Sequence, residues 1–243
     1  MKNYILVCFV AIFITACNNN FTDPQKIIDK AIAASGDEKY LNSTIEFDFR
    51  DRHYISTRSG GMYTHERIAK DSINTIHDFL SNDGFRREIN GTTVEVVDSM
   101  KTKYTASVNS VIYFALLPYG LNDASVKKKF LGETKLEDKE QYVIEISFNE
   151  EGGGEDFEDV FIYWINKNDF TIDYMAYSFE EGKGIGYRFR KAYNPRKING
   201  ILFFDYINYQ PTEDTKIAEL EELYKKGALK ELSKIELVNI EVK

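Results

Sequence analysis

The chain holds three histidines, His53, His65 and His77, spaced twelve residues apart along three successive predicted strands. If the intervening hairpins centre on Ser59 and Asp71, the three imidazoles lie side by side, on the face that carries Phe47 and Phe49. Three neighbouring imidazoles are a ligand set for zinc, and would support a metal-dependent enzyme. A two-residue turn at Gly60-Gly61 pairs His53 with Ile68 instead, and the three histidines are then unrelated.

Two other stretches have the composition of sites. From Asn149 to Asp159 six acids surround three glycines, a set of oxygen ligands that suits calcium but lacks the ordered spacing of an EF-hand loop. An acidic hairpin loop in solvent is the alternative. Gly182-Lys183-Gly184-Ile185-Gly186 lies between predicted strands and opens no helix, so it reads as a hairpin turn and not as a phosphate cradle. Motifs for a serine nucleophile, a zinc protease, a P-loop or a redox cysteine pair are missing. Many acids are present, yet nothing singles out a pair for glycoside hydrolysis. The expectation is a protein that is not an enzyme, with no catalytic residue, cofactor or metal ion assigned.

Chemistry of another kind is legible at the N-terminus. Lys2 precedes an uncharged, mostly apolar run from Tyr4 to Ala16. That is the make-up of a secretory signal, and the run falls short of the roughly 20 apolar residues that span a bilayer. Ile14-Thr15-Ala16-Cys17 reads as a lipobox: an aliphatic residue, two small ones, then a thiol to carry the lipid. Cleavage between Ala16 and Cys17 makes acylated Cys17 the first mature residue, with residues 17–22 a tether and 23–243 a single domain. Cys8 leaves with the signal, so the mature chain has neither a free thiol nor a disulfide. Asn18 follows the cysteine where an aspartate would retain the protein at the inner membrane. The expected location is the periplasmic face of the outer membrane.

Removal of 16 residues leaves 227, and the formal charge moves from −8 to −9 because Lys2 is the one charge lost. Such an acidic domain is unsuited to nucleic acid and to electrostatic docking on anionic lipid. Membrane contact is expected through the acyl chains alone. With 16 Tyr, 17 Phe and 4 Pro, the composition favours β-sheet with large rings to bury.

The elements follow from periodicity and punctuation. Asp23 and Pro24 open a helix whose apolar face is Ile28, Ala31, Ile32 and Ser35, and Gly36 closes it. Ile45 to Arg50 alternates with Ile45, Phe47 and Phe49 on one side. A meander continues through the Asn90-Gly91 hairpin to Val97. Val108 to Leu117 is the most apolar run of the mature chain and predicts a helix buried on every side, lying in or across a barrel mouth, with a buried strand as the alternative. Strands return after Gly132, a helix runs from Ile217 to Lys226, and Ile235 to Val242 forms a last strand. The predicted class is α+β: one incomplete, half-open antiparallel barrel of roughly ten strands, with helices covering one mouth.

Three segments carry a family resemblance. Ser107 to Pro118 (SVNSVIYFALLP), Glu151 to Trp164 (EGGGEDFEDVFIYW) and Gly186 to Arg196 (GYRFRKAYNPR) resemble an uncharacterised family of Gram-negative lipoproteins. The order of elements is distantly similar to the lipoprotein-carrier superfamily typified by the periplasmic LolA and LolB proteins. That resemblance implies a barrel wrapped around an apolar cavity that takes an acyl chain, a lipid or a lipoprotein, as carrier or sensor. It transfers no site residue beyond Cys17. Phe47, Phe49, Ile112, Phe114, Leu116 and Trp164 are the candidate cavity lining. The alternative is a structural or partner-binding envelope lipoprotein in which these side chains fill an ordinary core.

Overall fold

The computed structural model describes residues 21–152, 157–181 and 184–243. The signal segment, Ala16, Cys17 and the centre of the acidic loop lie outside the described residues. The first element is α1 (Pro24–Ser35). Its ends are set locally: the Asp23 carboxylate accepts from the Gln25 N–H at 3.0 Å, and Pro24 occupies the first helical position. Gly36 then takes a φ of 141° and returns its N–H to the Ile32 carbonyl. A Cβ at Gly36 would stand 3.1 Å from Ile201, so backbone and space both call for glycine here. Ile27, Ile28 and Ala31 are fully buried.

A seven-stranded sheet comes next: β1 (Ser43–Phe49), β2 (Arg52–Ser59), β3 (Met62–Lys70), β4 (Thr75–Ser81), β5 (Gly84–Ile89) and β6 (Thr92–Val94), with β14 (Val238–Val242) beside β1. The chain then crosses through α2 (Asp98–Ala115) to a second seven-stranded sheet. Its strands are β7 (Val126–Leu136), β8 (Lys139–Phe148), β9 (Phe161–Asn166), β10 (Ile172–Glu181), β11 (Gly184–Ile198), β12 (Ile201–Gln210) and β13 (Lys230–Ile235). A short α3 (Leu220–Lys225) joins β12 to β13. Every pairing is antiparallel. The class is α+β, and the two sheets do not close on each other.

Fourteen strands among the described residues exceed the ten expected. The strands that periodicity undercounts include the edges β7 and β13, whose sequences VKKKFLGETKL and KELSKI are mostly polar. Charge on an edge strand deters pairing with another chain, and it also hides the strand from a search for apolar alternation. The single last strand expected from Ile235 to Val242 is two. Glu236 and Leu237 separate β13 in the second sheet from β14 in the first. The Leu237 N–H donates to Asp205 Oδ1 at 3.0 Å, which anchors this crossing to β12.

The helix expected over Val108 to Leu117 is longer at its start and is not buried on every side. Val108 and Ile112 are buried against the first sheet, whereas Asn109 is exposed. Polar residues hold α2 there. Arg67, Asp78 and Arg87 face one another across β3, β4 and β5, and both arginines reach Asp78 at 2.6 Å. Arg67 also donates to Ser107 Oγ at 2.7 Å, and Arg87 lies 3.6 Å from the centre of the Tyr104 ring. The other side of α2 is turned towards the second sheet. That sheet is covered on both faces, by α1 on the inner face and α3 on the outer, so every residue of β9 is buried.

Candidate functional site

The histidines separate. Ser59 pairs with Met62, leaving Gly60-Gly61 as a two-residue turn, and His53 stands opposite Ile68. His77 stands opposite Ile68 from the other side. His53 and His77 therefore share the outer face of the first sheet, while His65, three residues from Ile68, points inward. His53 Nδ1 is 2.7 Å from Asp48 Oδ1, and His77 Nε2 is 2.7 Å from Glu66 Oε2. His65 is buried with Nδ1 3.1 Å from Ser56 Oγ. Burial, reinforced by the Arg58 charge, pushes His65 down to about 4. The zinc arrangement needed hairpins centred on Ser59 and Asp71, and the tighter glycine turn removes it. No other cluster of His, Cys, Asp or Glu suited to a metal ion occurs among the described residues.

Space is left between α2 and the inner face of the second sheet. Two clefts, partly open to solvent, occupy it, and Ser110, Phe114 and Tyr177 line both. The first has a volume of about 300 Å³, with Phe49, Val111, Phe204 and Ile235 among its apolar walls. The second, of about 560 Å³, runs past Tyr113, Phe148, Phe161 and Phe179. Strand alternation explains the lining: Phe161, Tyr163 and Tyr177 point inward, and Ile162, Trp164 and Ala176 outward. Phe114 and Tyr177 meet at 5.2 Å between ring centres, at the junction of the clefts. Burial raises the hydroxyls of Tyr113, Tyr163 and Tyr206 well above the ordinary phenol range, so these groups stay neutral.

Charge is distributed unevenly. Arg190 and Arg50 line the first cleft, and among the described residues no acid does. Asp159 and Glu180 line the second. Arg190 is buried, with its guanidinium carbon 4.1 Å from the Phe114 ring centre, and it donates to the Tyr177 hydroxyl at 2.6 Å.

Of the six residues expected to line a cavity, Phe49 and Phe114 do so. Phe47, Ile112 and Leu116 fill the contact between the first sheet and α2. Phe47 stacks on Tyr54 at 5.5 Å. Trp164 stands on the far side of the second sheet beneath α3, donating to Glu221 Oε2 at 2.9 Å. A run that is apolar on both faces cannot tell which face looks inward, and that is why Trp164 was misassigned. Arg190, Asn208 and Tyr177 were missed because a buried cation in a strand has no linear signature.

The fold is shared with solved structures. The crystal structure of a DUF1329 family protein from Desulfovibrio piger matches with a TM-score of 0.52 at 12% identity, covering 90% of this chain and 93% of that one. A LolA superfamily protein from Nitrosomonas europaea gives 0.47 at 9% identity, covering 90% of this chain and 91% of that one. At such identities the likeness concerns the fold alone. No curated protein matches the chain. A family model described as "Family of unknown function (DUF6503)" matches residues 2–239, and the chain belongs to that family.

Proposed function

We propose that this protein is an envelope lipoprotein that holds a hydrophobic ligand, an acyl chain or an acylated molecule, as carrier or sensor. The observation that carries the reading is the pair of aromatic-lined clefts meeting at Phe114 and Tyr177. Their volumes lie at the lower end and in the middle of the range for small-molecule sites. Apolar walls with a few polar groups suit a flexible chain, whose burial contributes about 0.8 kcal/mol per methylene. Anchoring through acylated Cys17 would hold the clefts near a membrane. Among the described residues no helix is long and apolar enough to cross one.

Ser110 lines both clefts, so Ser110→Phe fills their junction. A fluorescent fatty-acyl probe should bind the native protein, and the variant should bind it about tenfold or more weakly, the equivalent of about 1.4 kcal/mol. Absence of probe binding to the native protein would favour a structural or partner-binding lipoprotein.

A further inference from the structure

Building on the cleft-binding reading, we infer that the first cleft receives the anionic head of a single-chain amphiphile, held by Arg190 with Tyr177 and Asn208. Arg190 on β11 and Asn208 on β12 are direct cross-strand partners. Their side chains line the same cleft and are 8% and 7% exposed. Each has a buried polar atom with no partner among the described residues, Nε of Arg190 and Oδ1 of Asn208. A guanidinium offers five N–H donors. Among the described residues Arg190 directs one hydrogen bond to a side chain, that to Tyr177, and no carboxylate pairs with it. A buried cation without a counter-charge costs several kcal/mol, so its retention in a strand of an acidic protein points to an anion from outside.

The three groups define what fits. The guanidinium fork presents parallel donors to a carboxylate or phosphate oxygen pair. The Tyr177 hydroxyl accepts from Arg190 and keeps its own O–H to donate to the same anion. Asn208 lines the same cleft, and its Nδ2, which gives one N–H to Ser233 Oγ at 3.4 Å, keeps a second to donate to the anion. The chain then leaves the polar end along Phe114 into the second, larger cleft. Glu180 lines that cleft, which disfavours the reversed orientation.

The test is displacement of the fluorescent acyl probe by palmitate, hexadecyl phosphate and hexadecanol, which share a chain length and differ in the head. On the native protein at least one anion should bind about tenfold to a hundredfold more tightly than the alcohol. Preference for palmitate identifies a carboxylate head, and preference for hexadecyl phosphate a phosphate. Arg190→Met should remove the advantage and leave hexadecanol binding in place. If that variant does not fold, Asn208→Ala and the comparison on the native protein still decide. Equal affinity for alcohol and anions overturns the inference, with Arg190 then satisfied by water, and leaves the cleft reading standing. Failure of all three to bind overturns both.

Discussion

Arg190 and Asn208 face each other across β11 and β12, each with a buried polar atom that no described residue satisfies. Among the described residues Nε of Arg58 and of Arg196 also lacks a partner, but the other fully buried charges are matched. Asp78 holds Arg67 and Arg87, and Asp205 holds Arg196 through both oxygens. The contrast separates charges that hold the fold together from one left facing a cleft.

The Arg67–Asp78–Arg87 group gives the first prediction. Asp78→Ala leaves two arginines beneath α2 without a counter-charge. Removing one partner of a buried ion pair costs about 3–5 kcal/mol. The urea midpoint should fall accordingly, and a loss below about 1 kcal/mol would show that α2 does not depend on this group.

His65 gives a pH dependence with a defined sign. An exposed imidazole takes up its proton near pH 6.5, whereas the buried ring of folded His65 resists down to about 4. Between those values the unfolded chain binds a proton that the folded chain refuses, so stability falls as pH drops through that window. The contribution reaches about 3 kcal/mol at its acid end. Urea titrations from pH 6.5 down to 5 should show the slope in the native protein and its loss in His65→Gln. An unchanged slope in the variant would assign the dependence to other groups.

Much of the local structure was legible. Asp23, Pro24 and Gly36 delimit α1 as read, because capping, the first-turn proline and a positive φ are properties of a few adjacent residues. Asn90-Gly91, with φ of 52° and 79°, makes the hairpin expected of that pair. Gly60-Gly61 offered two registers, and the tighter one is adopted. What was not legible depends on long-range pairing. The first half of α2, DSMKTKYTAS, is polar and shows no apolar run, since its contacts with the first sheet go through Tyr104, Ser107 and two arginines. The division of β13 from β14 rests on the hydrogen bond of Leu237 to Asp205 from another part of the chain. The cleft needs the register of β11 on β12 and the placement of α2 over both, and neither is written in any one segment.

Trp164, the one tryptophan of the chain, gives a positional prediction. Because it stands beneath α3 on the opposite face from the clefts, its emission should change little as a non-fluorescent amphiphile is titrated in. A large shift in its emission maximum would place the ligand on the α3 side instead.

The anchor is testable by itself. Cys17→Ala should abolish incorporation of labelled fatty acid and leave a precursor that still carries residues 1–16. Normal processing of that variant, read by intact mass, would remove the lipobox reading without touching the cleft.

The account stands most directly on what the clefts contain. Native mass spectrometry of the protein purified from its own membrane should show a second population. Its excess mass should match an acyl-bearing molecule held noncovalently beyond the N-terminal acyl groups. The same species should be lost from Ser110→Phe. Finding only the acylated polypeptide in the native protein, with no bound species recoverable by organic extraction, would contradict the account.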